Sequence, residues 1–323
     1  MNCISKLLRH PRGRIGLILV GIVTLAAVFA PWLTPYELDA YEIANGLARP
    51  SAAHPLGTDK NGIDILTQIL YGGRISLIIG VTTGLSVTLL GAALGIVSAY
   101  FGKVSGAVIL NVINVLLVIP ATPLMMILSN VSSSYLMMIA VFTGLGWCGT
   151  ARMVQAQVLS MMNRNDIRAA ELAGASKTYI MFHHILPAIS HLLIMNCALS
   201  CGGFMIAEAG LSFLGLGDPA IISWGKILVA AQENAFTSGL WAWVIAPGGA
   251  IFITVFGFMQ IGSALEDILN PKLKRAKTKT ETPEAIEAVF ASISDISEVE
   301  ALTLKGRYHE CVRDSKFKDP LSV

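Results

Sequence analysis

Five stretches of this chain run for more than twenty residues without one Asp, Glu, Lys or Arg, and that feature restricts the fold more than any other. They are Ile15 to Tyr36, Ile75 to Gly102, Val104 to Ala151, the segment that follows Lys177 and reaches Ala207, and Asn234 to Leu265. In a bilayer an unpaired backbone amide finds no water, so a segment that enters lipid must close its own hydrogen bonds, and about 20 apolar residues in a helix do so. The third stretch is too long for one crossing. It divides at the polar run Ser129, Asn130, Val131, Ser132, Ser133, Ser134 and Tyr135, and the fourth enters the membrane near Pro187. The sum is an all-α polytopic membrane bundle with six transmembrane helices over 15–271, preceded by a basic segment 1–14 and followed by a tail 272–323. Composition agrees: 54% of residues are hydrophobic and 14% charged, against about 25% charged in soluble domains.

Basic residues then orient the bundle. With the N-terminus inside, the inner segments carry Lys6, Arg9, Arg12, Arg14, Lys103, Arg152, Arg164, Arg168, Lys177, Lys272, Lys274, Arg275, Lys277 and Lys279. The outer segments carry only Arg49, Lys60, Arg74 and Lys226. This asymmetry places both termini in the cytoplasm. Span one, behind Lys6 to Arg14, has the flanks of a signal peptide with Val28-Phe29-Ala30 as a cleavage site; its length favours an uncleaved anchor.

Within the second span, Gly80, Gly84, Gly91 and Gly95 make two GxxxG pairs that fall within about 60° of one another on a helix. Such a stripe lets a neighbouring backbone approach closely. Pro120 and Pro123 in the third span and Pro247-Gly248-Gly249 in the sixth predict kinks. Cys197 and Cys201, four apart, read as small packing residues, and the five cysteines have no metal-ligand spacing.

The segment 164–187 is the most informative loop. Asp166 can cap a short helix, Ala169 and Ala170 favour it, and Gly174 can end it in a left-handed turn. Ser176 can cap a second helix that Pro187 limits. The expectation is a short helix–turn–helix on the cytoplasmic face, a rigid knob rather than a slack linker.

Here the sequence resembles a known family. Ala169, Ala170, Gly174, Leu186 and Pro187 match in register the coupling-loop motif of ABC-importer inner-membrane permeases. Arg168 stands where that motif has Glu, and His184 where it has Ile. The string Ala169 to Ser176 with His184-Ile185-Leu186-Pro187 is similar to the dipeptide, oligopeptide and nickel group of these permeases. So are His54-Pro55-Leu56-Gly57-Thr58-Asp59 with Gly62, Asp64 and Tyr71 to Leu77, where Ile63 replaces an Arg. Glu208 with Gly210 to Gly215, Gly217 and Trp224-Gly225 resembles the group's signature after span five. Pro247-Gly248 with Gly262, Leu265, Asp267, Leu269 and Pro271 resembles its closing stretch, with Glu266 and Asn270 departing.

The resemblance implies the type I ABC importer permease fold in a bacterial or archaeal cytoplasmic (inner) membrane. It implies a second homologous permease subunit, two cytoplasmic ATPase subunits and an extracytoplasmic solute-binding protein as partners, with membrane lipid around them and no nucleic acid. The ATPase-coupling residues would be Arg168, Ala169, Ala170, Glu171, Gly174 and Ala175. No cofactor is implied for this chain; ATP would be bound by the partner subunits, and the sequence has no G-x-x-x-x-G-K-[ST] string. The solute would be a di- or oligopeptide or a related species such as nickel.

Single residues outside the loop carry less. Glu208, an acid at membrane depth, could touch a substrate amine, hydrogen-bond loop amides or pair with Arg74. Asp59 and Asp64 with Arg74 suggest a salt bridge in the outer loop or a docking surface. His183-His184 point in different directions on a helix, so no metal site is expected. No catalytic constellation stands out. An ion-coupled secondary carrier is the alternative class; it would need more charge within the membrane than Glu208 supplies. The tail, basic from Lys272 to Lys279 with a short helix possible from Pro283 to Ser294, reads as a partly disordered cytoplasmic extension.

Overall fold

The computed structural model describes residues 3–38, 45–100, 103–129, 134–238 and 241–269; the tail from 272 lies outside them. The described chain is helical: α1 (Cys3–Arg9), α2 (Pro11–Val28), α3 (Ala30–Leu33), α4 (Ile65–Tyr100), α5 (Lys103–Val118), α6 (Ala121–Ser129), α7 (Tyr135–Met162), α8 (Asn165–Leu172), α9 (Lys177–Ile180), α10 (Leu186–Phe213), α11 (Trp224–Ser238) and α12 (Ala242–Leu269). A π-helical turn, Met181–Ile185, joins α9 to α10. Among the described residues five helices are long and apolar enough to cross a membrane: α2, α4, α7, the run Lys177–Phe213, and α12. A sixth crossing requires α5 and α6 together, and that pair is bent by 87° where Pro120 interrupts it. The structure thus has five candidate spans, and the expected six if the sharply bent pair counts as one.

Several boundaries move from where charge alone put them. Span two starts at Ile65 rather than Ile75, because Asp64 caps it: its Oδ2 accepts from Thr67 N–H at 2.8 Å and from Thr67 Oγ1 at 2.9 Å. Arg74 thus lies inside a helix. Its Nε donates to the Ala27 carbonyl at 2.6 Å and its Nη2 to the Val28 carbonyl at 2.9 Å, both in the last turn of α2. Span one accordingly runs from Pro11 to Val28 rather than Ile15 to Tyr36. Span six starts at Ala242, since residues from Asn234 to Ser238 belong to the separate helix α11. α12 passes through Pro247 as one helix, so the kink expected there does not break it.

Helix α4 is the centre of the bundle, packed along α7 and α10, while α12 packs on α2 and α10. The glycine stripe explains the closeness, and it faces two partners rather than one. A Cβ on Gly84 would stand 2.7 Å from Cys201 Sγ and 2.8 Å from the Cys201 backbone nitrogen on α10, and one on Gly80 would strike the Met205 side chain. Further along, a Cβ on Gly91 would lie 2.6 Å from Thr150 Cβ and one on Gly95 2.6 Å from the Ala151 carbonyl oxygen on α7. Cys197 and Cys201 are free thiols, and Cys201 packs against the stripe.

Gly84→Val should therefore destabilise the bundle by about 1–3 kcal/mol through overpacking. Gly21→Ala, at a helical glycine with nothing within 4 Å of its added carbon, should be neutral or slightly stabilising. Thermal unfolding of the purified chain in detergent compares the two, and equal melting temperatures would remove the close-approach argument.

Candidate functional site

Between α7 and α10 the chain builds the knob that the sequence suggested, with different joints. Arg164, not Asp166, is the N-cap of α8, and it makes no side-chain cap bond. Asp166 sits in the first turn and receives a bidentate pair from Arg164, Nε to Oδ1 at 3.0 Å and Nη2 to Oδ2 at 2.9 Å. Those bonds hold the Asp166 carboxyl below its usual pKa, and its charge still favours the helix start. The exit is a Schellman turn closed at Gly174, φ +83°. The Ala175 amide donates to the Ala170 carbonyl and the Gly174 amide to the Glu171 carbonyl, both at 3.0 Å. Ser176 caps α9, its hydroxyl accepting from Tyr179 N–H at 3.2 Å.

The second helix of the knob does not stop before Pro187. It continues through the π turn into α10. Proline lacks an amide proton and crowds the carbonyl four residues back, and the wider π turn accommodates both effects without ending the helix. The knob is consequently continuous with a transmembrane helix. It is also bolted down from below. Ile167, Ile180 and Ile185, each at most 1% exposed, share one apolar cluster with Val154, Val158 and Met161 of α7, Ile96 and Tyr100 of α4 and Ile189 of α10.

The knob's outer face is open. Arg168, Ala169, Glu171 and Gly174 are exposed, and Ala170 and Ala175 are partly covered. His183 stacks on Tyr179 at 4.2 Å between ring centroids and meets the Tyr179 carbonyl through Nδ1. It shares no site with His184. Among the described residues no group of three or more His, Cys, Asp or Glu is arranged to hold a metal ion.

Glu208 lies 22 positions beyond Leu186 on α10, which at 1.5 Å per residue is on the order of 33 Å, a bilayer core away from the knob. It is 1% exposed and does not meet Arg74. Its Oε1 accepts from Ser212 Oγ at 2.8 Å and its Oε2 from Ser76 Oγ at 3.0 Å, with Ser223 also bonded to the carboxyl. Ser76 in turn accepts the Trp224 N–H, at 3.2 Å, from the start of α11. One carboxyl thus ties α4, α10 and α11 together. Ser212, one helical turn beyond Glu208, was legible as a partner. Ser76 lies 132 residues away in sequence, and nothing in the pattern pointed to it.

Asp59 and Asp64 also do not pair with Arg74. Asp59 Oδ1 accepts from the Asn61 and Ile63 amides and its Oδ2 from Gln68 Nε2. Asp64, besides capping α4, meets His54 Nδ1 at 3.1 Å, and His54 stacks on Tyr36 at 4.7 Å. These acids organise the 45–64 loop: a folding role, by their contacts. Nearby, the Lys226 ammonium donates to the carbonyls of Pro219 and Ile221, and burial pushes its pKa below the ordinary lysine value.

Two outcomes follow. Glu208→Ala strands three hydroxyls and should cost about 2–4 kcal/mol, while Glu208→Gln, which keeps the shape and most acceptors, should cost less; an unchanged melting temperature for Glu208→Ala contradicts the knot. Gly174→Ala meets no atom within 4 Å, yet should cost roughly 1–2 kcal/mol through left-handed strain alone, visible as faster local proteolysis of the knob.

Comparison with known proteins agrees with this arrangement. The model of the family described as binding-protein-dependent transport system inner membrane component matches residues 91–275. The model of the N-terminal TM domain of oligopeptide transport permease C matches residues 4–50. A Brucella abortus protein described as a peptide transport system permease is 36% identical over 271 residues, covering 83% of this chain and 90% of that one. The oligopeptide transport system permease protein of Bacillus subtilis is 32% identical, with 81% and 86% covered. The dipeptide transport system permease protein of Alkalihalophilus pseudofirmus is 34% identical, with 84% and 89% covered. With an all-helical membrane bundle, a knob clamped between α7 and α10, and matches spanning most of its length, the chain belongs to the family of inner-membrane components of binding-protein-dependent transport systems.

Proposed function

We propose that this chain is one of two permease subunits of an ATP-binding-cassette importer for di- or oligopeptides, forming half of the translocation pathway. The relatives named above are peptide permeases by description, which favours peptides over a nickel species. In this reading one of two ATPase subunits seats on the knob 165–185 in the cytoplasm, where both chain termini also lie. That orientation rests on the excess of Lys and Arg in the segments on that side. A solute-binding protein delivers cargo at the opposite end, beside the 45–64 loop. ATP is bound and hydrolysed by the partners, and this chain needs no cofactor of its own.

The observation that carries the reading is mechanical. The knob shares its buried isoleucines with α4, α7 and α10 and runs into α10 without a flexible joint. A push on it is therefore delivered to the helix that holds Glu208 at the far end. Packed cores switch between arrangements rather than bend continuously, so displacement at one end becomes rearrangement at the other.

A cysteine at Ala169, exposed on α8, should crosslink to an ATPase subunit in the assembled importer, with a yield that changes between ATP-bound and nucleotide-free states. Gly174 is the poorer probe because its backbone conformation resists a side chain. Absence of a crosslink in every nucleotide state overturns the coupling role. Uptake that persists without ATP but collapses with the ion gradient would replace this reading with an ion-coupled carrier.

A further inference from the structure

The outer face of α8 has a composition that the family assignment does not explain. Asn165, Arg168, Ala169 and Leu172 occupy spacings i, i+3, i+4 and i+7 and are all exposed. That is the pattern by which a helix enters a groove on another protein. Leu172 is 90% exposed, which is unusual for a leucine on a rigid, polar turn. Both acids of α8 are exposed but already engaged: Asp166 is held by Arg164, and Glu171 interacts with the Tyr100 hydroxyl of α4. Arg168 makes its hydrogen bond to the neutral amide of Asn163, Nη2 to Oδ1 at 2.9 Å. Among the described residues no carboxylate pairs with it. The face turned outward therefore offers one guanidinium without a carboxylate partner, a bare leucine beside it and a small alanine that allows close approach.

We propose that Arg168 and Leu172 are the paired anchors that select the ATPase partner, whose groove must offer a carboxylate for Arg168 next to an apolar socket for Leu172. This rests on the coupling role of the knob and adds its specificity. A planar guanidinium suits a carboxylate through two parallel bonds, and a single buried leucine flanked by a satisfied charge has the makeup of an interface hot spot. A lipid surface fits less well, because an interfacial helix needs a broad apolar face, and Leu172 is the one large apolar residue on this side of α8. The charge also discriminates: an ATPase presenting a basic residue at that point in its groove would be repelled.

The test uses the whole permease in nanodiscs with its purified ATPase subunits, and reads affinity at low and high ionic strength. Arg168→Glu should weaken binding roughly tenfold or more at low salt, a difference of about 1.4 kcal/mol or more, and should reverse the salt dependence, because added salt now screens a repulsion. Arg168→Lys should fall between. Leu172→Ala should weaken binding by a similar factor at both ionic strengths, with Leu172→Met recovering most of it. All of these side chains are exposed, so the bundle itself is left intact; a second reporter, Ala173→Cys crosslinking to the ATPase, reads whether the knob docks at all. If that crosslink forms while Arg168→Glu and Leu172→Ala bind with wild-type affinity and salt dependence, the anchor assignment is wrong and the coupling role stands. If the crosslink never forms, the coupling role fails and the anchors fall with it. If binding instead follows the anionic lipid content of the nanodisc, Arg168 and Leu172 serve the membrane and the proposal is overturned.

Discussion

The close approach of α4 to α7 and α10 is the interaction on which the rest of this structure depends. Lipid supplies no hydrophobic driving force between helices, so association rests on packing at short range. Four glycines on one stripe make that possible, two facing α10 and two facing α7. Because the knob is the connection between those same two helices, α4 holds both of its roots. A knob mounted on helices that could slide past one another would transmit little. Mounted on helices whose backbones are nearly in contact with a common third, it is fixed to that third helix as well.

The two ends of α10 are held by different physics. At the knob end the fastening is apolar: isoleucines from α8, α9 and the π turn are buried among residues of α4 and α7. At the far end it is polar, a buried carboxyl bonded to the Ser212 hydroxyl of its own helix, to the Ser76 hydroxyl of α4 and, through Ser76, to the first amide of α11. Apolar contacts tolerate small displacements, whereas a hydrogen-bonded buried acid is sensitive to geometry and costly to leave unsatisfied.

Much of the architecture was legible before any coordinates. The number of apolar segments, the break around residues 129–135, the turn at Gly174 and the cap at Ser176 follow from local rules: hydrogen-bond closure in lipid, the freedom of glycine at positive φ, and the reach of a serine side chain. The errors share one cause. Arg74 was taken as a boundary because charge avoids lipid, and Asp166 as a cap because aspartate prefers caps. In the fold Arg74 reaches carbonyls 46 and 47 residues earlier, and Asp166 is claimed by Arg164. Likewise Asp59, Asp64 and Glu208 were candidate partners for Arg74, and each is satisfied by a different neighbour. A charged residue is placed by whichever partner the fold brings near, and that is not a local property.

The amino-acid order by itself therefore determined the class of the molecule, its apolar segments and the position of the turn at Gly174, since these depend on each segment's own backbone and on the solvent around it. Only the tertiary structure decided that the glycine stripe serves two neighbours, that Pro187 lies within a continuous helix, and that Ser76 and Trp224 complete the Glu208 knot. Those outcomes depend on which surfaces meet at distances of a few ångströms, and residues more than a hundred positions apart leave no periodic trace of that meeting in the chain.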